Sequence, residues 1–107
     1  MRQITPEQLA AWLADAGRKS PQLLDVREPW EFQTCQIVGS RLVPMGEIPQ
    51  RLAELDPSAE VVVICHHGGR SMQVAAFLEK QGFSSVSNLA GGVDGWAREV
   101  DPAMPVY

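Results

Sequence analysis

Two cysteines, Cys35 and Cys65, are all that 107 residues contain. They can close one disulfide at most, which excludes the stapled scaffold of a small secreted protein. No apolar run approaches the roughly 20 residues needed to cross a bilayer. The opening MRQITPEQLAAWLADAG has polar and acidic residues where a secretory signal needs an unbroken apolar segment, so a cytoplasmic location is the expectation. Excess positive charge is missing as well. Nine Lys and Arg against 13 Asp and Glu leave a net charge of −4, which argues against nucleic acid or an anionic membrane as partner. Repeats, low-complexity tracts and linkers are absent too, so residues 1–107 read as one domain.

The composition, 45% hydrophobic and 21% charged, is that of a soluble globular chain able to bury one core. Thr5 is a candidate N-cap and Pro6 suits the first helical position; Leu9, Trp12, Leu13 and Ala16 share a face before Gly17. Gln22 to Val26 and Arg41 to Val43 read as short strands, and Glu47 to Leu55 as a short helix. Val61-Val62-Val63-Ile64 lacks any period-2 alternation, the signature of a strand buried on both faces within a parallel sheet. Ser71 to Gln81 reads as a helix stopped by Gly82, Ser85 to Leu89 as a strand, and a short helix follows Gly91-Gly92 around Trp96. Alternation of this kind predicts an α/β layered domain.

What stands out is Cys65, directly after the Val-rich strand. His66, His67, Gly68, Gly69 and Arg70 separate it from a helix start at Ser71. In open α/β sheets ligands gather at the carboxyl ends of strands. Glycines let backbone approach a bound group, and successive N–H groups before a helix N-terminus form an anion-binding concavity. A thiol in such a cradle, beside the permanent cation of Arg70, is favoured as thiolate. A cysteine after an apolar strand is, taken alone, more often buried and inert. The glycine pair, the arginine and the helix start together point instead to an activated nucleophile.

Cys65 to Ser71 matches the C-x-x-G-x-R-S active loop of rhodanese domains, the thiosulfate sulfurtransferases and their relatives. Leu24-Asp25-Val26-Arg27-Glu28, Gly39 to Pro44, Gly82-Phe83, Asn88-Leu89-Ala90-Gly91-Gly92 and Trp96 resemble other blocks of that family, in family order, from about Ile4 to Val106. The resemblance implies a rhodanese-type domain, a mainly parallel sheet of roughly five strands with helices on both faces. It implies sulfur transfer through a Cys65 persulfide, with no metal or organic cofactor. The substrates implied are a small anionic donor such as thiosulfate and a thiophilic acceptor: cyanide, a thiol or a sulfur-relay protein. Residues 66 to 70 would hold the persulfide sulfur, with Ser71 and Arg27 at the substrate and Asp25 supporting the loop. Phosphatases sharing the fold place five residues between Cys and Arg; here there are four, which suits a persulfide better than a phosphoryl group.

Three other readings stay open: a persulfide carrier serving a partner, a thiol redox or arsenate-reducing protein using Cys35, and a regulatory module. Cys35, Gln36 and Val38 depart from the family's usual Gly, His and Pro, and Cys35 reads as structural. Neighbouring His66 and His67 read as exposed loop residues rather than zinc ligands. Trp12, Trp30 and Trp96 read as packing residues. Glu28, Glu31, Glu47, Glu54 and Asp56 read as solvated charge.

Overall fold

The computed structural model describes residues 1–107. Five strands, β1 (Arg2–Ile4), β2 (Gln22–Asp25), β3 (Arg41–Leu42), β4 (Glu60–Ile64) and β5 (Ser85–Leu89), form one sheet in the order β1-β5-β4-β2-β3. Every pairing is parallel. The apolar run of β4 lies at the centre, between β5 and β2, with Val61 beside Gln22 and Val86, and Ile64 beside Asp25. Its side chains go to both faces, which is why no alternation appears in its sequence. Val61, Val63 and Cys65 enter one cluster with Leu24, Val74 and Leu78. Val62 and Ile64 enter the other with Leu9, Trp12, Val93 and Trp96.

Helices α1 (Pro6–Ala14) and α5 (Gly92–Glu99) cover the second face, and α4 (Gly69–Lys80) the first. Thr5 caps α1 as its sequence suggests: its hydroxyl accepts the Gln8 N–H at 3.1 Å while Gln8 Oε1 accepts the Thr5 N–H at 2.9 Å. α4 begins two residues before Ser71, because Gly68 takes a positive φ of 109° and turns the chain into the helix at Gly69.

Two elements are too short to stand out in the sequence. β1 is three residues long at the sheet edge, too short for periodicity to register. The other is α2 (Pro29–Thr34), where Pro29 occupies the first turn and Glu31 reaches back to accept the Glu28 N–H at 3.0 Å. The helix expected over Glu47 to Leu55 is instead a 3₁₀ turn (Met45–Glu47), one α turn (α3, Ile48–Arg51) and a second 3₁₀ turn (Leu52–Glu54). Pro49, with no N–H to donate, stands near the start of α3. No helix is long and apolar enough to cross a membrane.

Candidate active site

Cys65 sits one residue beyond β4, at the carboxyl edge of the sheet, and the loop from His66 to Gly68 closes over it before α4 begins. The loop is oriented from behind by α5. The Val93 and Asp94 N–H groups, at the start of that helix, donate to the carbonyls of Cys65 (2.9 Å) and His66 (3.1 Å). Those carbonyls are thereby turned away from the cysteine side chain. Close approach is possible only because residue 92 is glycine: a Cβ there would stand 2.3 Å from the Cys65 carbonyl oxygen and 2.4 Å from that of His66. The φ of Gly92, +58°, already disfavours any side chain. On the inner side, the Gly68 N–H donates to Cys65 Sγ at 3.0 Å, and Ser71 Oγ lies 3.2 Å from the same sulfur. The N-terminal end of α4, where the first N–H groups of a helix have no carbonyl of their own to bond, follows directly on Gly68.

Of the residues the sequence singles out, Cys65, Gly68 and Ser71 meet at the sulfur itself, His66 and His67 lie in the loop, and Gly69 and Arg70 open α4. Ser71 is fully buried, so its hydroxyl addresses the sulfur and Asn88 rather than an open pocket. Arg70 is not a free cation: its guanidinium makes a two-pronged ion pair with Glu31, at 2.7 and 2.8 Å. That pairing holds the Glu31 carboxyl down at about 2, against the opposing effect of burial. Glu31 is accordingly no solvated surface charge; it is 4% exposed.

Arg27 does not reach the substrate position that the resemblance implies for it. It is completely buried, and all five of its N–H donors are taken. Nε and Nη2 donate to the Asp25 carboxylate (2.9 and 2.7 Å), Nη2 also to the Cys35 carbonyl (2.7 Å), and Nη1 to the Glu31 carbonyl (3.2 Å) and the Tyr107 hydroxyl (2.9 Å). No donor remains for an incoming anion. Burial alone would lower its pKa; the Asp25 carboxylate and Tyr107 outweigh that and leave it raised. Asp25 therefore acts on the loop at one remove. It fixes Arg27, which holds the α2 backbone and Tyr107, and the Tyr107 hydroxyl in turn donates to Glu31 Oε2 at 2.9 Å.

Tyr107 also stacks on the His66 ring, centroids 4.0 Å apart, and His66 stacks on His67 at 4.0 Å. His66 is therefore half-buried rather than exposed, and burial, with His67 beside it, lowers its pKa. The two histidines and Asp94 bring one ligating atom each within 4.8 Å. The stacked rings, only 25° from parallel, point their lone pairs side by side instead of at one ion, and would have to unstack to share a metal. Trp30, read as a packing residue, packs its edge on Tyr107 at the surface and is 62% exposed; Trp12 and Trp96 are buried. A cavity of 470 Å³ lies elsewhere, between β1 and α1 beside Arg2, Trp12 and Arg18, and holds none of the loop residues.

Cys35 and Cys65 are both free thiols. They pack into the clusters on opposite faces of the sheet, a placement that removes the support for a resolving role of Cys35.

The profile of the Rhodanese-like domain matches residues 5–99 of the chain. A thiosulfate sulfurtransferase GlpE of Pseudomonas aeruginosa is 39% identical over 102 residues, spanning 95% of this chain and 88% of that protein. The rhodanese-like/PpiC domain-containing protein 12 of Arabidopsis thaliana is 41% identical over 90 residues, which are 80% of this chain but only 30% of that longer protein. Among solved structures, a rhodanese-like domain protein from Staphylococcus aureus superposes with a TM-score of 0.85 at 29% identity, covering 100% of this chain and 99% of that one. The cysteine loop, set between a central parallel strand and a helix start and backed by a glycine that admits no side chain, thus lies on a chain whose sequence and fold match one group of proteins nearly throughout: it belongs to the rhodanese-like domain family.

Proposed function

We propose that this domain is a sulfurtransferase carrying sulfane sulfur as a persulfide on Cys65, with thiosulfate as donor. The observation that carries the reading is the polarity of the loop. Its carbonyls at Cys65 and His66 are tied to α5, while the Gly68 N–H points at the sulfur and the N-terminal end of α4 follows directly on it. The Cys65 thiolate attacks the outer sulfur of thiosulfate; the S–S bond breaks, its electron pair leaves on sulfite, and the new sulfur stays on Sγ with one negative charge. The inward N–H groups stabilise that charge as it develops. An acceptor such as cyanide then takes the outer sulfur and returns the thiolate.

Since Glu31 offsets Arg70, attraction for the dianion comes from these N–H groups and the helix end rather than from a free guanidinium. The name of the Pseudomonas aeruginosa relative supports thiosulfate in particular. A reaction needing Cys65 reduced fits a reducing compartment, the cytoplasm in this reading. A thiol or a sulfur-relay protein is the acceptor we expect in the cell.

The test is the intact mass of the reduced protein after brief exposure to thiosulfate. A gain of one sulfur atom, absent in Cys65→Ser and discharged by cyanide as thiocyanate, is the expected result. No adduct would remove thiosulfate as donor. An adduct formed only from polysulfide or a cysteine desulfurase would make the domain a carrier fed by another protein.

A further inference from the structure

Asn88, on β5 and 1% exposed, touches no candidate substrate position, yet its side-chain amide joins three separate parts of the site. Nδ2 donates to the Gly68 carbonyl at 3.2 Å and to Gln3 Oε1 at 2.9 Å, and Oδ1 accepts from the Ser71 hydroxyl. The orientation of that amide is determined. A carbonyl oxygen can only accept, so the group facing Gly68 must be Nδ2, and Oδ1 must face Ser71.

A proton count follows. Ser71 has one hydroxyl hydrogen, and Asn88 Oδ1, which has none, claims it. What Ser71 then offers to Cys65 Sγ, 3.2 Å away, is a lone pair. That arrangement is satisfied when Cys65 is a thiol donating S–H to Ser71, and unsatisfied when Cys65 is a thiolate. To stabilise the thiolate the hydroxyl must swing its hydrogen from Asn88 to the sulfur, leaving Oδ1 buried with no donor.

We propose that Asn88 is a positioning residue for the reacting thiol: by holding the Ser71 hydroxyl as an acceptor it keeps the resting cysteine protonated, and thiolate formation requires that hydroxyl to turn from Asn88 to Sγ. This rests on Cys65 being the reacting cysteine. The same turn serves the second half of the cycle. When the acceptor removes the outer sulfur, Sγ leaves as thiolate and the Ser71 hydroxyl can meet it; uptake of a proton from solvent then restores the Asn88 bond. Cost and benefit fall on opposite protonation states of one sulfur, so the device tunes readiness without adding a charge.

The charged and titratable groups around the loop are Arg70 paired with Glu31, His66, His67, Tyr107, Asp94 and, behind β2, Asp25 with Arg27. None hydrogen-bonds to the Asn88 side chain, whose partners are Ser71, Gln3 and Gly68, so variants at 88 leave them in place.

The experiment is the pH profile of Cys65 alkylation by iodoacetamide, with the site read by peptide mass. Asn88→Leu frees the Ser71 hydroxyl to serve the thiolate and should move the profile down by about one pH unit, the size of one hydrogen bond to an ionised atom. Asn88→Asp keeps an acceptor toward Ser71, adds negative charge, and should move it up. Both variants lose the Nδ2 bond to Gly68, so a merely structural role of Asn88 predicts no downward shift for Asn88→Leu; that result would overturn the proposal. In a Ser71→Ala background the downward shift of Asn88→Leu should vanish, and its persistence would equally overturn it. Should Asn88→Leu not fold, Asn88→Ala carries the same expectation. Persulfide formation, scored by mass on the same samples, separates failure of this proposal from failure of the sulfurtransferase reading.

Discussion

Two buried cysteines lie in contrasting electrical surroundings. Around Cys65 Sγ the polar neighbours are neutral, a backbone N–H at 3.0 Å and a hydroxyl at 3.2 Å, and the loop carrying it is held by backbone bonds to α5. Cys35 Sγ instead lies 3.8 Å from the Arg27 guanidinium, inside a chain of charges that runs from Asp25 through Arg27 and Tyr107 to Glu31 and Arg70. By the rule that a nearby cation activates a thiol, Cys35 would be the nucleophile. Exposure does not separate them either, at 7% for Cys35 and 1% for Cys65. What separates them is where the cation's donors point. Arg27 spends all five on carboxylate, carbonyl and hydroxyl oxygens and touches the sulfur only at long range, whereas the Gly68 N–H is aimed at Cys65 Sγ. Here the charges brace the structure, and neutral dipoles surround the proposed nucleophile.

The sharpest way to break this comparison is to remove each sulfur in turn. Cys65→Ala should abolish sulfur transfer, a loss of 10³-fold or more of the kind expected when a covalent nucleophile is deleted. Cys35→Ala should leave the transfer rate within about twofold and cost ~1 kcal/mol of stability, for a small buried group. Cyanide-dependent thiocyanate release from each purified variant decides it. A large loss in the Cys35 variant would mean that the opposite faces of the sheet communicate chemically.

Arg27→Met tests the bracing. It leaves the Asp25 carboxylate, completely buried, without its partner, which should cost about 3–5 kcal/mol. Arg27→Lys should rescue little, because one ammonium cannot serve five separate acceptors. Adding Asp25→Asn to Arg27→Met should recover much of the loss in a urea titration. If it does not, the cost comes from the other acceptors of Arg27 and not from a stranded charge.

These two regions also differ in how much of them the linear sequence discloses. Cys65 to Ser71 is contiguous, so the cysteine, its glycines and the helix start can be seen together, as can the β4 run that aims them. The charged network is assembled from distant pieces: Glu31 meets Arg70 across 39 positions and Tyr107 across 76. Nothing local marks Glu31 as different from Glu28 or Glu47, and a glutamate near a helix start is ordinarily solvated. Arg27 shows the complementary difficulty. Its place at the end of a central strand is legible, but whether an arginine there faces solvent or turns inward depends on acceptors supplied by α2 and Tyr107. Asn88 belongs to a recognisable block, yet its bond to Ser71, 17 positions earlier, needs the parallel register of β4 and β5 to exist.

Acid provides a graded test of the same division. Glu31 ionises in the folded protein at about 2, against an ordinary value of 4.5. Its contribution to stability is therefore complete above pH 4.5 and is lost as pH falls toward 2. Because Arg70 is 36% exposed, solvent screening reduces that contribution to ~2 kcal/mol. The thermal midpoint should fall across this window, and Glu31→Gln should start lower and fall less steeply there. Parallel curves for the two proteins would show that the ion pair contributes nothing net.

The smallest effect expected is at Tyr107, and it is the one that tells support from chemistry. Tyr107→Phe removes one oxygen that accepts from Arg27 and donates to Glu31, while the ring still stacks on His66. One buried Arg27 N–H is left unpaired, worth about 1 kcal/mol, or a midpoint lowered by roughly 4–8 °C for a domain near this size. Sulfur transfer at 25 °C should change by less than twofold, because the donors around Cys65 do not involve that hydroxyl. A tenfold fall in transfer with an unchanged midpoint would reverse the assignment. It would place the charged network within the reaction, with Tyr107 and Glu31 acting on the loop's substrate and not only on its anchor.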